Sequence, residues 1–372
     1  MNAPARRKNT PRLIDIAEAA GVGIATVNRV LNDSGKASAS TREKVIAAAR
    51  QLGARRLMPE VHRGLTRFDF VFARSPTPFF QRLELALKRQ MQLLDRRIAV
   101  HRHDFDPADE AKIAAFIKKP AHRRNGLIVV LHDTPLLREA VHSVIKQGVP
   151  VVTLMSDLSD VGSLHYAGIN NLQAGRSAGY FLGRMCAPNA GKSVGKNEGM
   201  NDGMNSNKGG RVLVLSNDLS YRAHRDRCNG FVSVLAQRFA QLDCLPVLAV
   251  QDDADRAFAA VDSALRAKYA APLVGIYNSG AASSGIAQAL RKHAQQPVWI
   301  GHELTDEHRS LLVNGAMSLV IDQDPDGQIL SGMQHLLHAN KWLDQAPHSR
   351  PTEFRLYCAE NVTHQAYLPA AE

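Results

Sequence analysis

The residues with the plainest chemistry lie in two places. The first is the run RLIDIAEAAGVGIATVNRVLN at 12–32. If it folds as two helices turning at Gly21, the second begins near Ile24. Ile24, Ala25, Asn28 and Arg29 then lie on its outward face, and Val27 and Val30 face a core. Arg29 can pair bidentately with guanine, Asn28 suits adenine or a phosphate, and Ile24 and Ala25 can touch thymine methyls. Lys36, Arg42 and the helix amide ends can hold phosphates. The second place is a series of strand ends further along. Asp133 follows GLIVVLH, Asn278 ends LVGIYN and Glu303 ends VWIGHE, offering oxygens and amides to a hydroxylated ligand. Phe79 and Phe80, after the first strand, either stack on a sugar ring or pack in the core. Asn170 in GINN either binds ligand or caps a helix. Asp157 reads as a turn or cap residue.

These residues need elements to hold them. Apolar residues recur at helical spacing through Leu13, Ile16, Ala17 and Ala20, through Val27, Val30 and Leu31, and through Val45, Ile46, Ala49 and Leu52. Gly21 and Gly23 separate the first two helices, and Asn32 to Gly35 separate the second and third. Ser40 and Glu43 predict a capping box for the third. From Phe68 the pattern becomes β-α alternation. Strands are predicted over 68–73, 98–103, 126–132, 149–155, 211–217, 245–250, 273–278, 298–303 and 317–322. Helices are predicted over 79–95, 109–119, 136–147, 171–186, 224–240, 254–268, 283–294 and 305–313. Continuous apolar strands alternating with helices predict parallel sheets covered on both faces. So many units exceed one usual sheet and favour two lobes.

The 12–32 segment resembles the DNA-binding headpiece of the LacI/GalR family of transcription regulators. Asp15, Ile16, Ala17, Ala20, Gly21, Val22, Thr26, Val27, Arg29, Val30, Leu31 and Asn32 match its pattern, as does TREKV at 41–45. The resemblance adds Thr26 and Asn32 to the expected DNA contacts. Gly23 and Asn28 replace the usual serines. It also implies a hinge that wedges a leucine into the minor groove. Here Pro59 and Leu65 are present, but Glu60 replaces the usual Asn and Leu65 is one residue early; Leu65 either inserts or packs on the sensor. The remainder resembles the family's sensor, similar to periplasmic sugar-binding proteins. That implies two lobes, three crossovers and a ligand in the cleft. Arg227 in HRDRCNGF then falls where the family's Arg grips ligand, and Gln323 falls at a crossover that often bonds it. His302-Glu303 stands for an aromatic-acid pair.

The expected fold is therefore an all-α three-helix helix-turn-helix headpiece followed by an α/β two-lobed periplasmic-binding-protein-like domain with parallel sheets. Its expected bounds are headpiece 1–53, linker 54–67, one lobe 68–169 with 323–345, and the other 170–322 with 346–372. Charge agrees with this division. Of 46 Lys and Arg, 13 fall within residues 1–67, against 5 of 35 Asp and Glu, so this stretch carries +8 of the net +11. Such a block suits a polyanion or a solvated tail. The 45% hydrophobic and 22% charged residues are ordinary for a globular chain. Cys186, Cys228, Cys244 and Cys358 form no C-x-x-C pair or zinc spacing and read as reduced thiols. No secretory signal or apolar span is evident, which points to the cytoplasm.

Gly191-Lys192-Ser193 lacks the first glycine of a phosphate loop, Cys186 standing there, and 188–210 reads as a Gly/Asn-rich insertion. No catalytic spacing appears, and His302 and Glu303, as neighbours on a strand, are expected on opposite faces. The expected function is a non-enzymatic transcription regulator, a repressor, controlled by a sugar or polyol, with no cofactor and no metal. Its expected partners are a second copy of itself and a pseudo-palindromic operator, with no membrane. No leucine heptad in the tail predicts a tetramer. The alternatives are a periplasmic-type transport receptor and a regulator sensing a purine.

Overall fold

The computed structural model describes residues 11–31, 37–54, 65–73, 77–186, 209–267 and 271–362. Asn32, Lys36, the hinge residues 55–64, the 188–208 part of the insertion and the tail beyond 362 lie outside these. The chain divides into two compact units, Met1–Gly64 and Leu65–Glu372.

The first unit holds α1 (Leu13–Ala20), α2 (Ile24–Leu31) and α3 (Ala39–Gln51). Ile16, Ala17, Val27, Val30, Val45 and Ala49 close its core. Leu52, counted among the inward residues by its spacing, is 38% exposed. Gly21 ends α1 at φ +64°, where it has no Cβ to strain the backbone, and its N–H bonds back to Ala17 and Glu18. The capping expectation for α3 needs correction. The Thr41 N–H donates to the Ser38 Oγ at 3.1 Å, so Ser38 caps the helix and Ser40 lies inside it.

The second unit contains two sheets. The first has the order β2-β1-β3-β4-β5, all parallel, from β1 (Thr66–Ala73), β2 (Ile98–Phe105), β3 (Gly126–Val130), β4 (Val151–Leu154) and β5 (His165–Ala167). Phe68, Phe70 and Phe72 point to one face, under α4 (Pro78–Gln92) and α12 (Pro325–Ala339). Val71 and Ala73 point to the other, under α5 (Glu110–Lys118) and α6 (Pro135–Lys146). Burial of both faces is why these strands read as unbroken apolar runs.

The second sheet has the order β12-β11-β10-β9-β6-β7, with β8 also on β6. Its strands are β6 (Gly210–Ser216), β7 (Leu242–Cys244), β8 (Leu248–Ala249), β9 (Leu273–Asn278), β10 (Val298–His302), β11 (Leu319–Asp322) and β12 (Arg355–Tyr357). It is covered by α7 (Asn171–Cys186) and α8 (Arg222–Arg238) on one side, and by α9 (Ala254–Arg266), α10 (Ser283–His293) and α11 (Asp306–Val313) on the other. Only β12, among the described strands, runs antiparallel to its neighbour.

The chain passes between the sheets after β5, after β11, and again between α12 and β12. Of the strand predicted at 245–250 only the short β8 forms, and β5, β7, β12 and α12 are not among the predicted elements. No described helix is long and apolar enough to cross a membrane.

Candidate functional site

In the first unit, α2 presents a polar and small-residue face. Ile24, Ala25, Asn28 and Arg29 are exposed, Thr26 is half-buried, and Val27 and Val30 are fully inside. Ile24, at the start of α2, is 47% exposed and stands outside the core of its own unit. The Arg29 Nε donates to the Ala25 carbonyl at 3.2 Å, holding the guanidinium along the helix surface. Leu65, ahead of β1 in the second unit, is 51% exposed.

In the second unit, a cavity of about 610 Å³ opens between the two sheets. Its walls come from the segments that follow strand after strand: Phe79 and Phe80 after β1, His132 after β3, Met155 after β4, and Tyr221 and Arg227 beyond β6. Gln251 and Asp252 follow β8, Ser279 follows β9, His302 and Glu303 end and follow β10, and Gln323 follows β11. Ligands of parallel sheets sit beyond such carboxyl ends because loops and helix starts converge there. Backbone strain also gathers at this place. Among the described residues, nine other than glycine have positive φ, and Met155, Gln251, Asp252, Ala282 and Glu303 line the cavity.

The floor is built around Arg227. Its Nε donates to the Asn171 Oδ1 at 2.7 Å and its Nη1 to the Ser279 carbonyl at 3.0 Å. Its Nη2 is buried and has no hydrogen-bond partner among the described residues. The Glu303 Oε1 stands 4.0 Å from it and accepts from the Gln323 Nε2, while the Glu303 Oε2 is buried and unpartnered. Burial, with Asp322 behind it, pushes the Glu303 carboxyl up to about 8. A guanidinium N–H and a carboxyl oxygen thus lie side by side without partners, the pattern that adjacent hydroxyls, which both donate and accept, satisfy. Burial holds His224 down at about 3 and His302 well below its ordinary range, so both imidazoles stay neutral. The His302 Nε2 meets the Tyr277 hydroxyl at 2.8 Å, and its Nδ1 is another buried atom without a partner.

The position of Arg227 depends on close helix packing. A Cβ on Gly175 of α7 would stand 1.9 Å from the Arg227 carbonyl, and one on Gly230 of α8 would stand 2.2 Å from the Leu172 carbonyl. The two helices therefore cross backbone to backbone.

Of the eight ligand residues expected from sequence, five line the cavity: Phe79, Phe80, Arg227, Glu303 and Gln323. Phe79 and Phe80 do two jobs, since both also belong to the core, edge to face with centroids 5.5 Å apart. Three stand elsewhere. Asp133 is a clasp between the lobes, accepting from the Ser159 N–H and Oγ at 2.9 and 2.8 Å and from the Arg225 Nη2 at 2.6 Å. Asn170 accepts from the Gln173 N–H at 3.0 Å, the helix-cap alternative. Asn278 is fully buried and holds its own loop through the Ala281 carbonyl and the Gly280 N–H. Asp157 likewise accepts from the Thr153 hydroxyl and the Leu158 N–H, as a turn residue. The expectation that His302 and Glu303 face apart is also corrected. Strand geometry ends at His302, and Glu303 at φ +70° turns back so that both line the cavity.

Residues 12–54 match the model for bacterial regulatory proteins of the lacI family, and residues 68–339 match the model for a periplasmic binding protein domain. The chain belongs to the LacI family. This LacI-family chain is 27% identical over 155 residues to the HTH-type transcriptional regulator DegA of Bacillus subtilis, covering 39% of the chain and 44% of that relative. It is 28% identical over 156 residues to the sucrose operon repressor of Pediococcus pentosaceus, covering 40% and 45%. The chain thus spans under half the length of these curated relatives. Its fold is similar to a solute-binding protein from Burkholderia graminis in complex with D-arabinose, with a TM-score of 0.68 and 16% identity over 82% of this chain and 98% of that one. A second neighbour is a solute-binding protein from Bacillus halodurans with bound myo-inositol, with a TM-score of 0.66 and 15% identity over 81% and 97%.

Proposed function

We propose that this protein is a transcription regulator, a repressor, whose α2 reads operator DNA and whose cavity binds a sugar or polyol that changes operator affinity. The observation that carries the reading is the exposed face of α2. It displays Arg29 with Asn28, Ile24 and Ala25 on a helix whose other face closes a core, in a stretch carrying most of the chain's net positive charge. A transport receptor has no use for such a unit. Thr26, Asn32, Lys36 and Leu65 complete the proposed DNA set. In the cavity, Arg227, Glu303 and Gln323 make the polar contacts and Phe79 and Phe80 cover the C–H face. The sucrose repressor among the relatives and the arabinose and inositol of the fold neighbours support a hydroxylated ligand. The acting form is a homodimer in the cytoplasm on a pseudo-palindromic site, since one α2 reads only a half-site. The headpiece spans 1–53, the linker 54–67, and the lobes 68–169 with 323–345 and 170–322 with 346–372.

Footprinting on genomic fragments tests this. The parent protein is expected to protect one discrete site, and Arg29→Ala to lose about 1–3 kcal/mol of base discrimination. Equal binding of parent and variant to random duplex and to every fragment, at moderate salt, would contradict the reading.

A further inference from the structure

The charge around the cavity limits its ligand further. Among the described residues lining it, five carry carboxyl groups: Asp106, Asp218, Asp252, Glu303 and Glu307. Arg227 is the one Lys or Arg in that set. Two of its three nitrogens are held by Asn171 and Ser279. Arg82, behind Glu303, is paired with Asp322 at 2.5 Å. His224, His302 and His308, kept neutral by burial, add no positive charge. Acidity alone would not define a site. The buried Glu303 Oε2, unpartnered and 8% exposed as a residue, supplies the point at which a ligand atom is missing.

We infer that the ligand carries a protonated amine among its hydroxyls, as in an aminated ring sugar or cyclitol, and that phosphorylated or carboxylated analogues are rejected. The inference rests on the cavity being the effector site proposed above. An ammonium beside the Glu303 Oε2 completes a charge-assisted hydrogen bond in a dry setting, while the neighbouring hydroxyl takes the Arg227 Nη2. A phosphate in the same place would meet one guanidinium and a wall of carboxylates. The groups facing Glu303 are Arg227 of α8, Asp322 of β11, Arg82 of α4 and His308 of α11, and even with both arginines the carboxyl holds its proton up to about 8. Amine binding therefore ionises Glu303. The carboxyl O–H breaks, the proton leaves to solvent, and the carboxylate pairs with the ammonium.

The test uses the full chain in calorimetry and thermal shift at pH 7, with two ring series. These are myo-inositol, an amino-deoxy-inositol and myo-inositol monophosphate, and glucose, glucosamine and glucose 6-phosphate. In a series that binds, the amine is expected to bind about tenfold or more tighter than the neutral parent, the phosphate not at all, and calorimetry in two buffers to show proton release. Glu303→Gln should erase the amine's advantage, and Asp252→Asn at the wall should reduce it by a smaller factor. A neutral parent matching the amine, or a phosphate binding best, overturns the inference while leaving the effector site standing. If no member of either series binds, the hydroxylated-ring reading fails and takes the inference with it.

Discussion

Glu303 combines three properties that are separately uncommon: left-handed backbone, a buried carboxyl and an oxygen without a partner among the described residues. Each disfavours the folded state unless something is gained, and their coincidence at a cavity floor fits a site held ready for a ligand. The raised carboxyl has a consequence for stability. Between the ordinary carboxylate range and about 8 the folded chain keeps a proton that the unfolded chain releases, so this residue makes stability fall as pH rises through that window. Glu303→Gln removes the ionisable group and keeps the shape. The melting temperature of the variant, relative to the parent, is expected to climb from pH 5 to about pH 8 and then level off, by a few degrees for a domain of this size. A difference that stays flat across the window would mean that the carboxyl is already ionised in the folded protein.

Elements decide where such residues stand, and here the sequence is unevenly legible. Strand β9 and helix α7 can be bounded from pattern alone, because unbroken apolar runs and a Gly/Ala-rich amphipathic stretch have few other readings. The short β5, β7 and β12 have three residues each, too few for a period to register. The same limit applies to the site. Arg227 and Gln323 carry a motif signal, whereas Gln251 and Asp252 reach the cavity through consecutive positive φ angles that no side-chain pattern announces. Asp133 looked like a ligand group because it ends a strand, yet Arg225 and Ser159, distant in sequence, claim its oxygens. The α7–α8 crossing is another feature only geometry shows. Gly175→Ala would drive a methyl into the Arg227 carbonyl, so α8 must shift or tilt. Overpacking of this kind costs about 1–3 kcal/mol. Because α8 carries Arg227, ligand affinity should fall by more than stability loss explains. Thermal shift with and without ligand, beside operator binding, separates the two: the variant should still bind DNA and no longer respond.

For the molecule as a whole, regulation requires that the ligand prefer one arrangement of the lobes over another. Several contacts among the described residues span the cleft and set that balance. Arg82 of the first lobe meets Asp322 and the Leu304 carbonyl of the second, and the Tyr221 hydroxyl donates to the Ala73 carbonyl. The Asp133 N–H donates to the Ser220 carbonyl at 2.9 Å, and its carboxylate takes Arg225 at 2.6 Å. The Arg82 pair is fully buried, so breaking it strands a charge and endangers the fold. The Asp133–Arg225 pair is a better probe, because the Arg225 side chain is 37% exposed and can turn to water. After discounting for solvent, the contact is worth about 1 kcal/mol to the closed arrangement. Asp133→Asn should therefore raise the apparent ligand dissociation constant by about fivefold through a smaller closed population. It should also raise the radius of gyration of the ligand-free chain in solution scattering and move the ligand concentration at which operator affinity changes by the same factor. Linkage demands that these shifts agree, since one equilibrium underlies them all. A variant with weaker ligand binding but an unchanged scattering radius would place Asp133 in direct contact with the ligand after all, and would remove the clasp from the mechanism.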